Sequence, residues 1–256
     1  MQRVRYRGAE GIHWGELEGG MITRLSAMLG GRNGDTEMLS DVTLLPPCEP
    51  RSIVCVGKNY AEHIREMSGS DLPTSEELPG EPGLFLKGVN ALAGPGDPIP
   101  YPSWTTELHY EGELAVVIGR EMRHVSEERA LEHVLGYTCA CDVTARDRQR
   151  SDLQWARAKS ADGFCPMGPW LVTDLDPSAL GIQTKVNGEL RQDGNTRDLI
   201  FSVPKVLAYI SSFMTLQPGD LVLTGTPEGV GELKVDDEVE VTVQGVGSLL
   251  NVVERR

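Results

Sequence analysis

Residues 1–50 run as short polar–apolar alternations, broken at Gly19-Gly20 and Gly30-Gly31 and closed by Pro46-Pro47, the pattern of a small β-rich unit. The run Ser52-Ile53-Val54-Cys55-Val56-Gly57 reads as a buried strand, and 59–67 as a short helix. Residues 68–83 are rich in Ser, Pro, Gly and Glu with no apolar period, which predicts a mobile loop of the kind that serves as a lid. Leu84-Phe85-Leu86-Lys87 is a short strand, and 94–98 is a turn. Within 109–119 a β-branched apolar run predicts a strand, and a second strand ends at Tyr137-Thr138-Cys139-Ala140-Cys141-Asp142. Ser126 is placed to cap a helix running to Leu135, with Glu127 and Glu128 in its first turn. Ser202 is placed to cap another, in which Val203, Val206, Leu207, Ile210 and Phe213 follow helical spacing and Pro204 sits in the tolerant first turn. Turns at 218–220, 225–227, 236–237 and 245–247 punctuate strands in the remainder.

Composition narrows the class. The chain has 256 residues, 39% of them hydrophobic, with 29 Gly and 16 Pro, which favours a turn-rich β fold over a helical bundle. A formal net charge of −14 with no Lys/Arg cluster argues against nucleic acid or an anionic membrane as partner. No run of about 18 apolar residues predicts a membrane span, and the charged start Met1-Gln2-Arg3-Val4-Arg5 lacks the apolar core of a signal peptide. Five cysteines, an odd number without C-x-x-C, read as reduced thiols in a cytoplasmic protein.

Four segments carry candidate chemistry. Glu111 and Glu113 lie two apart at the entrance of the apolar strand, so a strand sends them to one face. Like charges at the edge of a core repel each other and resist desolvation, and a divalent cation removes both penalties. Asp142 ends the second strand, and three oxygen ligands with open positions suit Mg²⁺ or Mn²⁺. Read alone, such a pair is commonly two solvated strand residues. His63 and Glu66 are neighbours on one helix face, suited to a general base or simply an exposed pair. Lys159, in Arg157-Ala158-Lys159, can meet a substrate oxygen near a metal or sit in a surface loop. The Gly-rich stretch 221–231 follows a strand but lacks G-K-[ST], and Pro227 removes an N–H that a phosphate cradle needs, so nucleotide binding is rejected.

Taken in order, these segments resemble the fumarylacetoacetate hydrolase family, specifically its short bacterial members. The resemblance spans 51–251. It rests on Val56-Gly57-Lys58-Asn59-Tyr60 with His63 and Glu66, on Tyr110-Glu111-Gly112-Glu113-Leu114, and on Asp142-Val143-Thr144-Ala145-Arg146-Asp147 with Gln149. Arg157-Ala158-Lys159, Ile200-Phe201-Ser202-Val203-Pro204 and Thr224-Gly225-Thr226-Pro227-Glu228-Gly229 complete it. The resemblance implies an α+β fold, a mixed β-sheet roll with few peripheral helices, with a catalytic domain over 51–256 and a variable β-rich domain over 1–50. It implies that Glu111, Glu113 and Asp142 hold Mg²⁺ or Mn²⁺, with Ca²⁺ a substitute in crystals. His63 and Glu66 match a catalytic dyad on a lid, Lys159 a catalytic cation, and Gln149, Gly225 and Thr226 substrate contacts. Lys58 stands where the family varies. A homodimer acting on a small anionic oxo-acid is expected. The implied chemistry is a metal-stabilised enolate of a 2-oxo or 2-hydroxy-enoic diacid. The first reading is 2-hydroxyhepta-2,4-diene-1,7-dioate isomerase in aromatic catabolism. Acylpyruvate (fumarylpyruvate-type) C–C hydrolase, oxaloacetate decarboxylase and a non-catalytic metal-binding protein are the alternatives.

Overall fold

The computed structural model describes residues 1–68 and 78–256. The expected loop over 68–83 therefore falls largely outside the described residues. Among them, strands make three sheets. In the largest, Gln2–Gly8, Cys165–Val172, Val134–Cys141, Gly112–Ile118, Leu221–Leu223, Ile53–Gly57 and Gly83–Lys87 lie side by side. Only Leu221–Leu223 against Ile53–Gly57 is parallel among these neighbours, so the sheet is mixed. All seven residues of Gly112–Ile118 are buried. A strand covered on both faces needs a continuous apolar run, which Leu114 to Ile118 supplies.

A second sheet, ordered Glu189–Asn195, Gly181–Val186, Glu238–Val243, Gly247–Arg255 and Ile99–Tyr101, packs near it. At Gly112 the large sheet lies tight against Thr184 of the second. A Cβ there would stand 2.0 Å from Thr184 Oγ1, so only glycine fits between the two glutamates. The N-terminal strands extend the large sheet through Gln2 opposite Val172. They also enclose a small core of their own, Val4, Tyr6, Leu17 and Ile22, against which Trp170 packs.

The helices are few and peripheral. Ser202 caps Val203–Ser211 as expected, its side chain accepting from the Lys205 N–H, and Val203, Val206, Leu207 and Ile210 are buried. Phe213 departs from that pattern. It lies past the helix end and is 64% exposed. The Ser126 helix is also different: Glu127–His133 winds as a 3₁₀ helix, Ser126 makes no cap bond, and Val134 already belongs to the next strand. Ala130 is the one buried residue of that segment, too little apolar surface to hold a full α-helix against the core. The helix expected over 59–67 is Ala61–Ser68, because Asn59 and Tyr60 are drawn into tertiary contacts. No helix among the described residues is long and apolar enough to cross a membrane. All five cysteines are buried and free.

Candidate metal centre

Strand register assembles the acidic cluster. Gly112 pairs with Cys141 across the antiparallel ladder, so Glu111 and Asp142 face each other at its open end, tied by Asp142 N–H donating to the Glu111 carbonyl at 2.8 Å. Glu113 is one pleat further along the same face. One carboxylate oxygen from each of Glu111, Glu113 and Asp142 lies within 4.8 Å of the others, and all three residues are buried.

Three buried cations answer three carboxyl groups, but unevenly. Lys159 Nζ bridges Glu111 Oε2 at 2.8 Å and Asp142 Oδ2 at 2.6 Å. Lys87 Nζ donates to Asp142 Oδ1 at 2.5 Å, and Arg146 Nη2 to Glu111 Oε1 at 2.5 Å. Glu113 pairs with no cation among the described residues. Its Oε2 accepts from the Gly225 N–H at 2.6 Å. Burial, with Asp142 and Glu111 adding to it, pushes the Glu113 carboxyl well above the carboxylate range. Burial opposes ionisation of Glu111 too, but Lys159 and Arg146 overcome it and hold that carboxyl well below the usual range. On Lys159, burial works against the charge, and Asp142 and Glu111 outweigh it and raise the ammonium's pKa. The donor set fits a hard divalent cation: three carboxyl groups with spare lone pairs, one of which, Glu113, has no paired side-chain cation among the described residues and would give up its proton to ligate. The thiols do not compete, since burial raises Cys139 and Cys141 to about 12 and keeps them protonated.

The cluster floors a cleft of about 200 Å³ that also receives His63, Gln149, Lys159 and Thr226. His63 is buried, with Nδ1 at 3.3 Å from Glu66 Oε2. Glu66 accepts in turn from the Gly229 N–H at 3.1 Å, which pins the helix to the Gly-rich turn. Burial opposes the Glu66 charge, but the bonds from His63 and Gly229 prevail and lower its pKa. Gln149 Oε1 accepts from Arg146 Nη1 at 2.6 Å.

Two residues expected to contact substrate have their donors bonded within the protein. Thr226 Oγ1 donates to the Gly112 carbonyl at 2.9 Å and accepts from Gln192 Nε2 at 2.7 Å, so its one hydroxyl proton is spoken for. The Gly225 N–H is taken by Glu113. Gly225 has φ +104°, and a Cβ there would stand 2.8 Å from Asn59 Cβ, so the turn requires glycine. Both residues tie this turn to the strand that carries Glu113. Sequence reasoning gave no role to Lys87, Arg146 or Gln192. A lysine closing the apolar strand Leu84-Phe85-Leu86 was the available signal for the first.

Comparison with known proteins agrees with this architecture. The model of the fumarylacetoacetate hydrolase C-terminal domain matches residues 52–254. The chain is 46% identical over 211 residues to oxaloacetate tautomerase FAHD1, mitochondrial, of Bos taurus, covering 80% of this chain and 92% of that protein. The crystal structure of 2-hydroxyhepta-2,4-diene-1,7-dioate isomerase from Mycobacterium marinum superposes with a TM-score of 0.91 at 41% identity, covering 100% of this chain and 99% of the other. Maleylpyruvate hydrolase from Sphingobium sp. SYK-6, solved in complex with manganese(II) and pyruvate, gives a TM-score of 0.81 at 31% identity, covering 100% and 99%. With most of its length matched by the family model and its mixed sheet shared with these structures, the chain belongs to the fumarylacetoacetate hydrolase family.

Proposed function

We propose that this protein is a divalent-cation-dependent isomerase of small 2-oxo or 2-hydroxy-enoic dicarboxylates, one that relocates a proton between the keto and enol forms of its substrate. The observation that carries the reading is the convergence of three carboxylate ligand atoms and His63 on one cleft. The cleft's volume of about 200 Å³ lies below the roughly 300–1,000 Å³ of drug-sized ligand sites, which favours a short diacid. Names among the similar proteins, an oxaloacetate tautomerase and a heptadienedioate isomerase, describe proton shifts of this kind.

Mg²⁺ or Mn²⁺ held by Glu111, Glu113 and Asp142 would supply Lewis-acid polarisation of the substrate's oxygens. Lys159, already charged and fixed by two carboxylates, adds positive potential beside a developing oxyanion. His63 gives or takes the proton. Glu66 fixes the imidazole tautomer by accepting at Nδ1–H, which leaves Nε2 as the working nitrogen. Val56 and the rings of Phe85 and Trp155 give the cleft apolar surface beside these polar groups.

A substrate panel with Mn²⁺ tests the reading. Oxaloacetate enol, the heptadienedioate and acetylpyruvate are each followed for tautomer conversion, carbon–carbon cleavage and CO₂ release. Interconversion of tautomers or double-bond isomers, faster than any cleavage, is expected. Cleavage or decarboxylation as the fastest reaction would move the assignment to a hydrolase or decarboxylase.

A further inference from the structure

We propose that Lys58 selects the substrate: its ammonium pairs with the far carboxylate of a 2-oxo diacid whose oxo-acid head lies on the acidic cluster. This rests on the oxo-diacid reading above and adds the residue that distinguishes a diacid from a monoacid.

Four cations line the cleft: Lys58, Arg146, Arg150 and Lys159. Three are neutralised within the protein. Arg146 pairs with Glu111, Lys159 with Glu111 and Asp142, and Arg150 with Glu107. Lys58 has neither an ion pair nor a hydrogen bond among the described residues, and it is exposed at the cleft's edge. In a chain of net charge −14, an uncompensated ammonium at the mouth of a cleft is a local attraction for an anion.

The backbone holds it there at a cost. Lys58 has φ +58°, the left-handed region that side chains other than glycine and asparagine seldom adopt. The next residue locks this conformation. The buried amide of Asn59 donates to the carbonyls of Phe201 and Thr224 at 3.0 and 2.8 Å and accepts from the Phe201 N–H at 2.8 Å. A lysine is thus fixed in a strained turn, facing a cleft whose neighbouring wall is Val56, Phe85 and Trp155. Val56 and Phe85 offer nothing to a carboxylate, and Trp155 offers at most one neutral N–H. A diacid with its head on Glu111, Glu113 and Asp142 extends its other end toward the mouth, where Lys58 carries the free charge.

The test is calorimetric binding to the Mn²⁺-loaded protein of two unreactive probes with the same oxalyl head. Oxamate lacks a far carboxylate, and N-oxalylglycine carries one. Wild type should prefer N-oxalylglycine. The preference, taken as the ratio of the two Kd values, should fall about fivefold to tenfold in Lys58→Met and be retained in Lys58→Arg, the range expected when one charge-assisted pair in a partly open site is lost. Lys58→Gly relieves the left-handed strain, so it keeps the fold while losing the preference, and it guards against misfolding of the Met variant. An unchanged ratio in both Lys58→Met and Lys58→Gly overturns the role of Lys58 and leaves the oxo-diacid reading standing. Failure of wild type to bind either probe overturns both.

Discussion

Replacing Lys159 with Met isolates the ammonium that bridges Glu111 and Asp142. Met preserves most of the aliphatic stem, which packs with Nζ 4.9 Å from the centre of the Phe85 ring, so the change is chiefly one of charge. Two bonds are lost, at 2.8 and 2.6 Å. Hydrogen bonds to charged groups contribute about 1.5–3 kcal/mol each, which bounds the loss near 6 kcal/mol. Arg146 and Lys87 remain on the same carboxylates, and a buried ammonium no longer has to be stripped of water. The expected loss of metal-free stability is therefore about 2–4 kcal/mol. Mn²⁺ should narrow this gap, because the ion brings positive charge back between the same carboxylates and binds a more negative site more tightly. Saturation at a hundredfold over Kd adds about 2.7 kcal/mol to any protein that binds only when folded, so the variant should gain more than the wild type does at equal Mn²⁺. Urea unfolding of both proteins in EDTA and in Mn²⁺ measures all four stabilities. A metal-free loss under about 1 kcal/mol, or a gap that Mn²⁺ leaves unchanged or widens, would refute the shared-site argument.

Other consequences follow from the same geometry. His63→Ala should bind Mn²⁺ like wild type while turnover falls by about 10²- to 10⁴-fold; full turnover would dismiss the His63–Glu66 dyad. Gly225→Ala should lower the thermal midpoint and weaken Mn²⁺ binding together, because its Cβ meets Asn59 at 2.8 Å and moving the turn withdraws the N–H from Glu113. A variant with unchanged midpoint and affinity contradicts this. Glu113 sets a pH dependence. Its folded pKa lies above the ordinary 4.5, so the folded state keeps a proton that the unfolded chain releases. Stability in EDTA should thus fall, relative to Glu113→Gln, as pH rises from about 4.5 through the raised value. Mn²⁺ affinity should rise over the same window, because the proton must leave before the carboxylate can ligate; parallel stability curves for the two proteins would count against it.

The strand Gly112–Ile118 was legible because burial on both faces demands an uninterrupted apolar run, and the period of two placed Glu111 and Glu113 on one face without any tertiary knowledge. Asp142 was legible only as a carboxylate at a strand end. That it stands opposite Glu111 depends on the register of two strands whose connection the sequence does not dictate. Lys87 was hidden for the same reason, since its partner arrives from 55 residues downstream. Thr226 shows a subtler limit. Its place beside the cleft was anticipated, but a hydroxyl's direction is set by whichever partners surround it, and here Gly112 and Gln192 claim it. Local signals also overreached. Ser126 with two following glutamates makes a sound helix start, yet Ala130 alone is buried along Glu127–His133, and the adjoining strand takes Leu135.

The account depends on one cation seated among three carboxylates. Diffraction from crystals grown with Mn²⁺, collected at a wavelength where manganese scatters anomalously, tests that directly. A single anomalous peak within coordination distance of Glu111, Glu113 and Asp142 is the predicted result. Well-ordered density in which the three side chains keep only their bonds to Lys87, Arg146, Lys159 and Gly225, with manganese absent or bound elsewhere, would contradict it.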